Sequence, residues 1–207
     1  MQIMRSIISL LTFLFLFTTA LHSQLVTPGT GIRWNIDSLV AQGALAPSAN
    51  GNYYTLGDHV SILAGDTVEV DSDDTIKVSG AYLITVFGTL NMVPPNECVV
   101  TSLNPAAKFT GFRFENTSGS HWNGAVILNA GGIKLVSAYV HFENCRFEGF
   151  DKSNSTGAID AYQSHPLIRY CSFSNNAGPA IASGANAASS PQIYYSEFHH
   201  NNTSNAN

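Results

Sequence analysis

Charged residues are scarce in this sequence. Asp, Glu, Lys and Arg make up 11% of its 207 residues, and the 14 acidic side chains outnumber the 9 basic ones, which gives a formal net charge of −5. The basic residues form no cluster along the chain. Because a nucleic-acid-binding protein needs a basic surface for the phosphates, we expect no nucleic-acid partner. Cysteine is scarce as well, and Cys98, Cys145 and Cys171 are too few for a disulfide scaffold.

A long apolar run is also missing, and the one short run lies near the N-terminus. Arg5 precedes this run, which extends from Ile7 to Phe17 and is followed by small residues, as in a secretory signal peptide. It is about half as long as the roughly 20 residues that span a membrane, so a retained anchor is the less favoured interpretation. We predict that residues 1–23 are a signal peptide cleaved after Ser23, with cleavage after Ala20 as the alternative. The mature chain is then secreted or at the cell surface, without a membrane span.

A repeat of about 25 residues is the strongest pattern that is present. Phe147, Phe173 and Phe198 recur at almost equal spacing along the chain. The three aligned segments are Val140-His-Phe-Glu-Asn-Cys-Arg-Phe147, Pro166-Leu-Ile-Arg-Tyr-Cys-Ser-Phe173 and Pro191-Gln-Ile-Tyr-Tyr-Ser-Glu-Phe198. A weaker copy is Thr110-Gly-Phe-Arg-Phe114, and a second landmark recurs as Gly124-Ala-Val126, Gly157-Ala-Ile159 and Gly178-Pro-Ala-Ile181. Self-similarity of this kind predicts a solenoid.

The fine structure of one repeat predicts three short strands. Ile168 and Tyr170 are separated by a single residue and share one face of a strand. Cys171 and Phe173 also share a face, but the alternation slips by one position, which predicts a bend between Tyr170 and Cys171. Helical periodicity is absent from these segments, so helices are disfavoured. We therefore predict an all-β chain, a right-handed, single-stranded parallel β-helix whose coils stack as parallel sheets.

Stacked coils predict which side chains are neighbours. One inward ladder comprises Phe142, Ile168 and Ile193, a second comprises Phe147, Phe173 and Phe198, and Tyr170 and Tyr195 also point inward. The outward column comprises Glu143, Arg169 and Tyr194, which predicts a surface ion pair between Glu143 and Arg169. Cys145 and Cys171 are neighbours at a separation that permits a disulfide, although two buried thiols are the preferred interpretation.

The N-terminal half is consistent with the same fold but is less regular. Its short β-rich runs are Val60–Ile62, Val68–Val70, Ile76–Val78, Leu83–Val86 and Leu90–Met92. Before them, the stretch from Asp37 to Gly43 predicts one or two helical turns that end at the glycine. We assign residues 24–57 to an N-terminal cap and residues 58–207 to the β-helix. The chain stops where the next coil would begin, which predicts a C-terminally incomplete solenoid that self-associates through its open final coil.

These elements resemble known repeats. The Gly-Ala-Ile element together with Phe173-Ser-Asn-Asn176 and Phe198-His-His-Asn201 resembles the pectate-lyase-type right-handed β-helix and is similar to repeats of the chlamydial polymorphic outer membrane proteins, which are surface adhesins. The stretch from Val60 to Leu90 resembles the first coils of large secreted β-helix proteins of Bacteroidetes. The resemblance covers residues 58–207 and implies the fold, which hosts lyases, hydrolases, adhesins and spacers alike.

No catalytic constellation is evident from the residue types. A β-elimination on a uronate needs a cation to neutralise the carboxylate and a base to take the α-proton. Arg169, Lys152 and Asp160 are the best candidates for such chemistry. No cofactor is expected, apart from Ca²⁺ if the acidic turn that contains Asp71, Asp73 and Asp74 holds one, and a solvated turn is the preferred interpretation.

We predict a non-catalytic extracellular or cell-surface β-helix that presents its loops to a polysaccharide or a surface protein. The first alternative is the N-terminal part of a secreted polysaccharide lyase or glycoside hydrolase that acts on an acidic polysaccharide. The second is a structural spacer. Basic and acidic side chains on neighbouring coils of one outward sheet would favour the enzyme, whereas outward aromatic columns would favour binding.

Overall fold

The computed structural model describes residues 24–184 and 188–205, so the predicted signal peptide, residues 1–23, lies outside the described residues. The described chain is an all-β parallel solenoid of about 6 turns with one short α-helix. This confirms the predicted parallel β-helix. The described ranges contain no helix that is long and apolar enough to cross a membrane.

The strands are short and follow one another closely along the chain. The first half contains β1 (Leu25–Val26), β2 (Arg33–Trp34), helix α1 (Ile36–Ala41), β3 (Leu45–Pro47), β4 (Tyr54–Leu56), β5 (Val60–Ile62), β6 (Thr67–Val70), β7 (Thr75–Val78), β8 (Leu83–Val86), β9 (Thr89–Met92) and β10 (Cys98–Ser102). The second half contains β11 (Gly111–Glu115), β12 (Ser118–Asn123), β13 (Ala125–Leu128), β14 (Ile133–Val136), β15 (Tyr139–Glu143), β16 (Arg146–Glu148), β17 (Ile159–Tyr162), β18 (Leu167–Arg169), β19 (Ser172–Ser174), β20 (Ile181–Ser183), β21 (Gln192–Tyr194), β22 (Glu197–His199) and a 3₁₀ turn (Thr203–Asn205).

Successive strands are distributed in turn among three sheets, which confirms the prediction of three strands per coil. Sheet I has the order β1-β5-β8-β11-β14-β17-β20, sheet II the order β2-β6-β9-β12-β15-β18-β21, and sheet III the order β3-β4-β7-β10-β13-β16-β19-β22. All pairs are parallel except β3 with β4. A given side chain therefore lies directly above or below its equivalent in the next coil.

The core is a stack of apolar side chains inside the solenoid, and both predicted ladders are present, buried except at their last members, Ile193 and Phe198, in the final described coil. Phe142 pairs with Ile168 in sheet II, and Ile168 pairs with Ile193. In sheet III, the Phe173 ring is stacked on Phe147 at a centroid distance of 4.8 Å and on Phe198 at 5.2 Å. Phe147 and Phe173 are completely buried. These stacks fix the register of the C-terminal coils.

The earlier copies of the repeat were assigned to the wrong sheets. Phe114 lies on β11 in sheet I, where its register partner is Leu135, so it is not equivalent to Phe147. The residue that precedes Phe147 in its column is Ile127 on β13, which places the Gly124-Ala-Val126 element in sheet III rather than with Gly157-Ala-Ile159 in sheet I. The coil that leads to Phe147 is shorter than the two that follow it. Applying the spacing of the later coils to the earlier residues therefore aligns strands that belong to different sheets.

The chain turns between sheets II and III at residues with a left-handed backbone. Asn144, Tyr170 and Tyr195 occupy this corner in successive coils with φ of 49°, 52° and 52°. Because the bend lies at Tyr170 itself, its side chain leaves the alternation of β18 and points outward. Tyr170 is 51% exposed and Tyr195 is 76% exposed, so the prediction that they point inward is wrong.

Residues 24–57 contain the strands of the first coil and the short helix. Helix α1 begins with a capping box in which Asn35 and Ser38 bond each other's backbone N–H groups, and it is followed by Gly43 at a φ of 74°, as the sequence predicts. The segment also contributes β1 to sheet I, β2 to sheet II and the β3–β4 hairpin to sheet III. The helix packs against β2 and β3, with Ile36 and Leu39 buried.

A buried carboxylate fixes the connection between the first two strands. Asp66 is 1% exposed and accepts hydrogen bonds from the backbone N–H groups of Gly29 at 2.7 Å, and of Gly31 and Ile32 at 2.9 Å. Burial alone would raise the pKa of Asp66, but the backbone N–H groups of Ile32, Gly29 and Gly31 and the side chain of Thr27 outweigh burial and lower the pKa to about 2. The first coil is therefore held by a charged group.

We expect Phe173→Ala to lower the free energy of unfolding by about 3–5 kcal/mol, because it leaves a cavity between two stacked rings. Urea denaturation followed by circular dichroism measures this. Ser172→Ala changes the outward neighbour on the same strand and serves as the control. Equal midpoints for the parent and Phe173→Ala would show that the register is wrong.

Asp66→Asn should destabilise the chain at neutral pH by about 2 kcal/mol, because one oxygen acceptor becomes an N–H donor that faces backbone donors. The folded pKa of Asp66 lies below its ordinary value. The parent therefore keeps this stabilisation above about pH 4 and loses it as the pH falls towards 2. Denaturation at pH 7 and pH 3 should show a smaller pH effect in Asp66→Asn. Glu97→Gln, at an exposed position, is the control. If the stability of Asp66→Asn depended on pH as strongly as that of the parent, the role assigned to Asp66 would be refuted.

Candidate functional site

The outward face of sheet II carries two adjacent columns of polar side chains, which we call the sheet II face. The first column contains His121 on β12 and His141 on β15, which are register partners. The second column contains Asn123, Glu143 and Arg169 on β12, β15 and β18, followed by Tyr194 on β21. Inward residues alternate with these positions, so the strands present the polar groups and bury Trp122, Phe142 and Ile168.

His121, His141 and Glu143 form a compact group, the histidine cluster. The imidazole rings are stacked with centroids 4.6 Å apart and an angle of 22° between their planes. The Oε2 atom of Glu143 lies 3.7 Å from Nε2 of His121 and 4.0 Å from Nε2 of His141. The three ligand atoms lie within 4.8 Å of one another, and this is the one such group of three metal-ligating residues among the residues that the structure describes.

Three nitrogen atoms in and beside this cluster lack hydrogen bonds within the described structure. The Nε2 atoms of His121 and His141 and the Nε atom of Arg169 are shielded from solvent and have no hydrogen-bond partner within the described structure. Burial lowers the pKa of His141, and the nearby His121 and Arg169 lower it further against the opposing effect of Glu143. His141 is therefore held in the neutral form, which has a lone pair available for a ligand.

The predicted ion pair between Glu143 and Arg169 is not formed. The two residues are register neighbours as expected, but among the ion pairs of the described chain none joins them at 4.0 Å or less. Glu143 instead lies closest to the two histidine rings. The Glu143 side chain therefore leans toward the histidine column, and register alone does not reveal that choice.

An exposed pair of tyrosines borders the sheet II face at its corner with sheet III. The rings of Tyr170 and Tyr195 are stacked with centroids 5.2 Å apart and 9° between their planes. Tyr170 follows Arg169 directly in the chain, and Tyr195 follows Tyr194. The pair therefore presents a broad aromatic surface beside a column of polar groups.

The three predicted catalytic residues lie on two different faces. Lys152 and Asp160 line one open groove beside sheet I, together with Lys134, which is the register partner of Asp160. Arg169 lies on sheet II beside the histidine cluster. The structure therefore brings Lys152 and Asp160 together but does not bring Arg169 to them.

The acidic turn divides its carboxylates between two directions. Asp73 accepts hydrogen bonds from the backbone N–H and the side-chain amide of Asn96, which lower its pKa. Asp74 accepts a hydrogen bond from Ser72, and it lines a shallow groove with Asp71 below helix α1. The expectation of Ca²⁺ at this turn stays a prediction.

All three cysteines are buried free thiols, in agreement with the preferred interpretation. Burial, reinforced by Asp74 and Asp73, raises the pKa of Cys98 to about 12, and burial also raises the pKa of Cys145. A buried thiol with a raised pKa is a poor nucleophile. The raised pKa values apply to Cys98 and Cys145, and the burial of all three side chains assigns the cysteines to the core.

Sequence reasoning missed His121 and His141 as a pair. They are separated along the chain by the same interval as their inward neighbours Trp122 and Phe142. That interval is the length of this one short coil. Once the register of sheet II is known, the match is visible in the sequence, but the longer period of the later coils conceals it.

Comparisons with known proteins returned no match, whether with protein-family models, curated proteins or solved structures.

Proposed function

We propose that this chain is a non-catalytic, extracellular β-helix that binds a polysaccharide at the tyrosine pair and along the adjoining sheet II face. The observation that carries the proposal is the exposed stack of Tyr170 and Tyr195. Flat aromatic surfaces present a large apolar area with few torsional freedoms, which suits stacking against the faces of sugar rings. The polar groups alongside supply hydrogen bonds to hydroxyl groups.

The backbone at these tyrosines supports a functional role. A left-handed conformation costs a non-glycine residue about 1–2 kcal/mol, and Asn tolerates it better than a bulky side chain does. The preceding coils have Gly124 and Asn144 at the same corner. Two tyrosines at this corner are less favourable for stability than Gly or Asn, so their presence there is not explained by stability alone.

The features of the sequence agree with an extracellular binding protein. The predicted signal peptide would direct the chain out of the cytoplasm. The resemblance of the repeats to pectate-lyase-type β-helices and to chlamydial surface adhesins, and of the first coils to secreted proteins of Bacteroidetes, supports an exported β-helix. The buried thiols and the low charge are compatible with this location.

The test is affinity gel electrophoresis of the purified chain in gels that contain polygalacturonate, alginate, chondroitin sulfate, xylan or glucomannan. We expect at least one of these polysaccharides to retard the parent. The double variant Tyr170→Asn/Tyr195→Asn should bind about tenfold more weakly, because it removes the stacking surface. Its melting temperature should equal or exceed that of the parent, because Asn relieves the strain of the corner.

Tyr162→Asn is the matched control, since Tyr162 is also exposed but lies on sheet I. It should bind as the parent does. Equal retardation of the double variant and the parent would exclude the tyrosine pair as the binding surface. A parent that none of the five polysaccharides retards would favour the structural spacer.

The histidine cluster with Arg169 supports a second candidate, a polysaccharide lyase acting on acidic polysaccharide. Glu143, His141 and Arg169 place acidic and basic groups on neighbouring coils of one outward sheet. Such a group contains a cation and potential proton acceptors, which an elimination on a uronate requires.

Under the proposed function, incubation of the chain with polygalacturonate, alginate or chondroitin sulfate should give no rise in ultraviolet absorbance from unsaturated uronate. A rise that Arg169→Ala abolishes would overturn the non-catalytic assignment in favour of chemistry on sheet II. A rise that Lys152→Ala abolishes instead would place the elimination chemistry in the groove beside sheet I.

A further inference from the structure

We propose that His121, His141 and Glu143 bind a divalent transition-metal ion of the Zn²⁺ type on the outward face of sheet II. The evidence for this metal site does not depend on polysaccharide binding. It rests on three ligand atoms within 4.8 Å of one another and on two imidazole nitrogens that have no partner within the described chain. Two imidazoles and one carboxylate are a common protein ligand set for Zn²⁺ and leave further coordination positions open.

The spacing of the ligand atoms fits one ion after a small adjustment. A tetrahedral Zn²⁺ site has metal–ligand distances of about 2.0–2.2 Å, which separates the ligand atoms by about 3.4 Å. The Glu143 oxygen already lies 3.7 and 4.0 Å from the two nitrogens. The nitrogens lie within 4.8 Å of each other, and they approach further when the rings tilt out of their 22° stack. Both rings are on paired strands, so the adjustment falls on the side chains rather than on the backbone.

The two unpartnered nitrogens are the feature that points to a ligand. A polar atom that is shielded from water and makes no hydrogen bond is unfavourable for stability. Here two such atoms occur side by side and face the same carboxylate oxygen, which lies beyond hydrogen-bond distance of each. A bound cation would coordinate both nitrogens and neutralise Glu143 at once.

The ligand types select the metal. Imidazole nitrogen suits Zn²⁺, Cu²⁺ and Ni²⁺, whereas Ca²⁺ and Mg²⁺ take oxygen ligands. The positive charge of Arg169 on the next coil opposes any cation, so binding depends on direct coordination rather than on the surrounding field. We therefore expect Zn²⁺ to bind and Ca²⁺ not to compete.

The experiment is isothermal titration of the purified chain with ZnCl₂, together with the visible absorption spectrum of the Co²⁺-loaded protein. We expect one Zn²⁺ for each chain and a Co²⁺ spectrum that reports nitrogen and oxygen ligands. His121→Gln, His141→Gln and Glu143→Gln should each weaken binding by at least tenfold. Millimolar Ca²⁺ should leave the titration unchanged.

His199→Gln is the matched control, because His199 faces Glu197 at 3.5 Å in a single exposed pair. This variant should bind Zn²⁺ as the parent does. Far-ultraviolet circular dichroism of each variant establishes that the solenoid is intact. No binding by the parent, or equal binding by folded His121→Gln and His141→Gln, would overturn the proposal, as would loss of the site in His199→Gln.

Discussion

The left-handed residue at each corner is the constraint on which the C-terminal coils depend. Every strand from β11 to β22 except β20 is followed directly by a residue with positive φ. These corner residues are Asn116, Gly124, Asn129, Ser137, Asn144, Gly149, Gln163, Tyr170, Asn175, Tyr195 and His200. Because each corner restarts the inward and outward alternation at a fixed point, coils of different length still stack their strands in register.

Register stacking places like side chains over like, and each such pair must be stabilised in some way. The Phe147, Phe173 and Phe198 rings gain from stacking, and buried Asn176 bonds the Phe150 backbone and the Asn201 side chain in its ladder. The His121 and His141 rings are also stacked, but their Nε2 atoms have no hydrogen-bond partner within the described chain. That difference separates a candidate ligand site from the structural ladders.

The sequence predicted the fold well where inward side chains repeat, and less well where the coil length varies. Alternation and regular spacing predicted the Phe and Ile ladders and the three strands per coil. Gly43 predicted the end of the short helix. The phase of the earlier coils was wrong because the coil that leads to Phe147 is shorter than its successors. The outward direction of Tyr170 was missed because it depends on a backbone angle at the corner. The histidine cluster was missed because pairing His121 with His141 requires the correct phase of the earlier coils.

The two proposed sites share one face, and their separation is set by the register. Arg169 lies one coil from Glu143 and directly precedes Tyr170. Adjacent coils are about 4.8 Å apart, so an extended chain stacked on the tyrosine pair and running along the solenoid axis would cross Arg169 before it reached the histidine cluster. A bound divalent cation would outweigh the negative charge of Glu143 beneath such a chain. An acidic polysaccharide would then gain from the metal by electrostatics, and by linkage the metal would gain from the polysaccharide, whereas a neutral one would be almost indifferent to the ion.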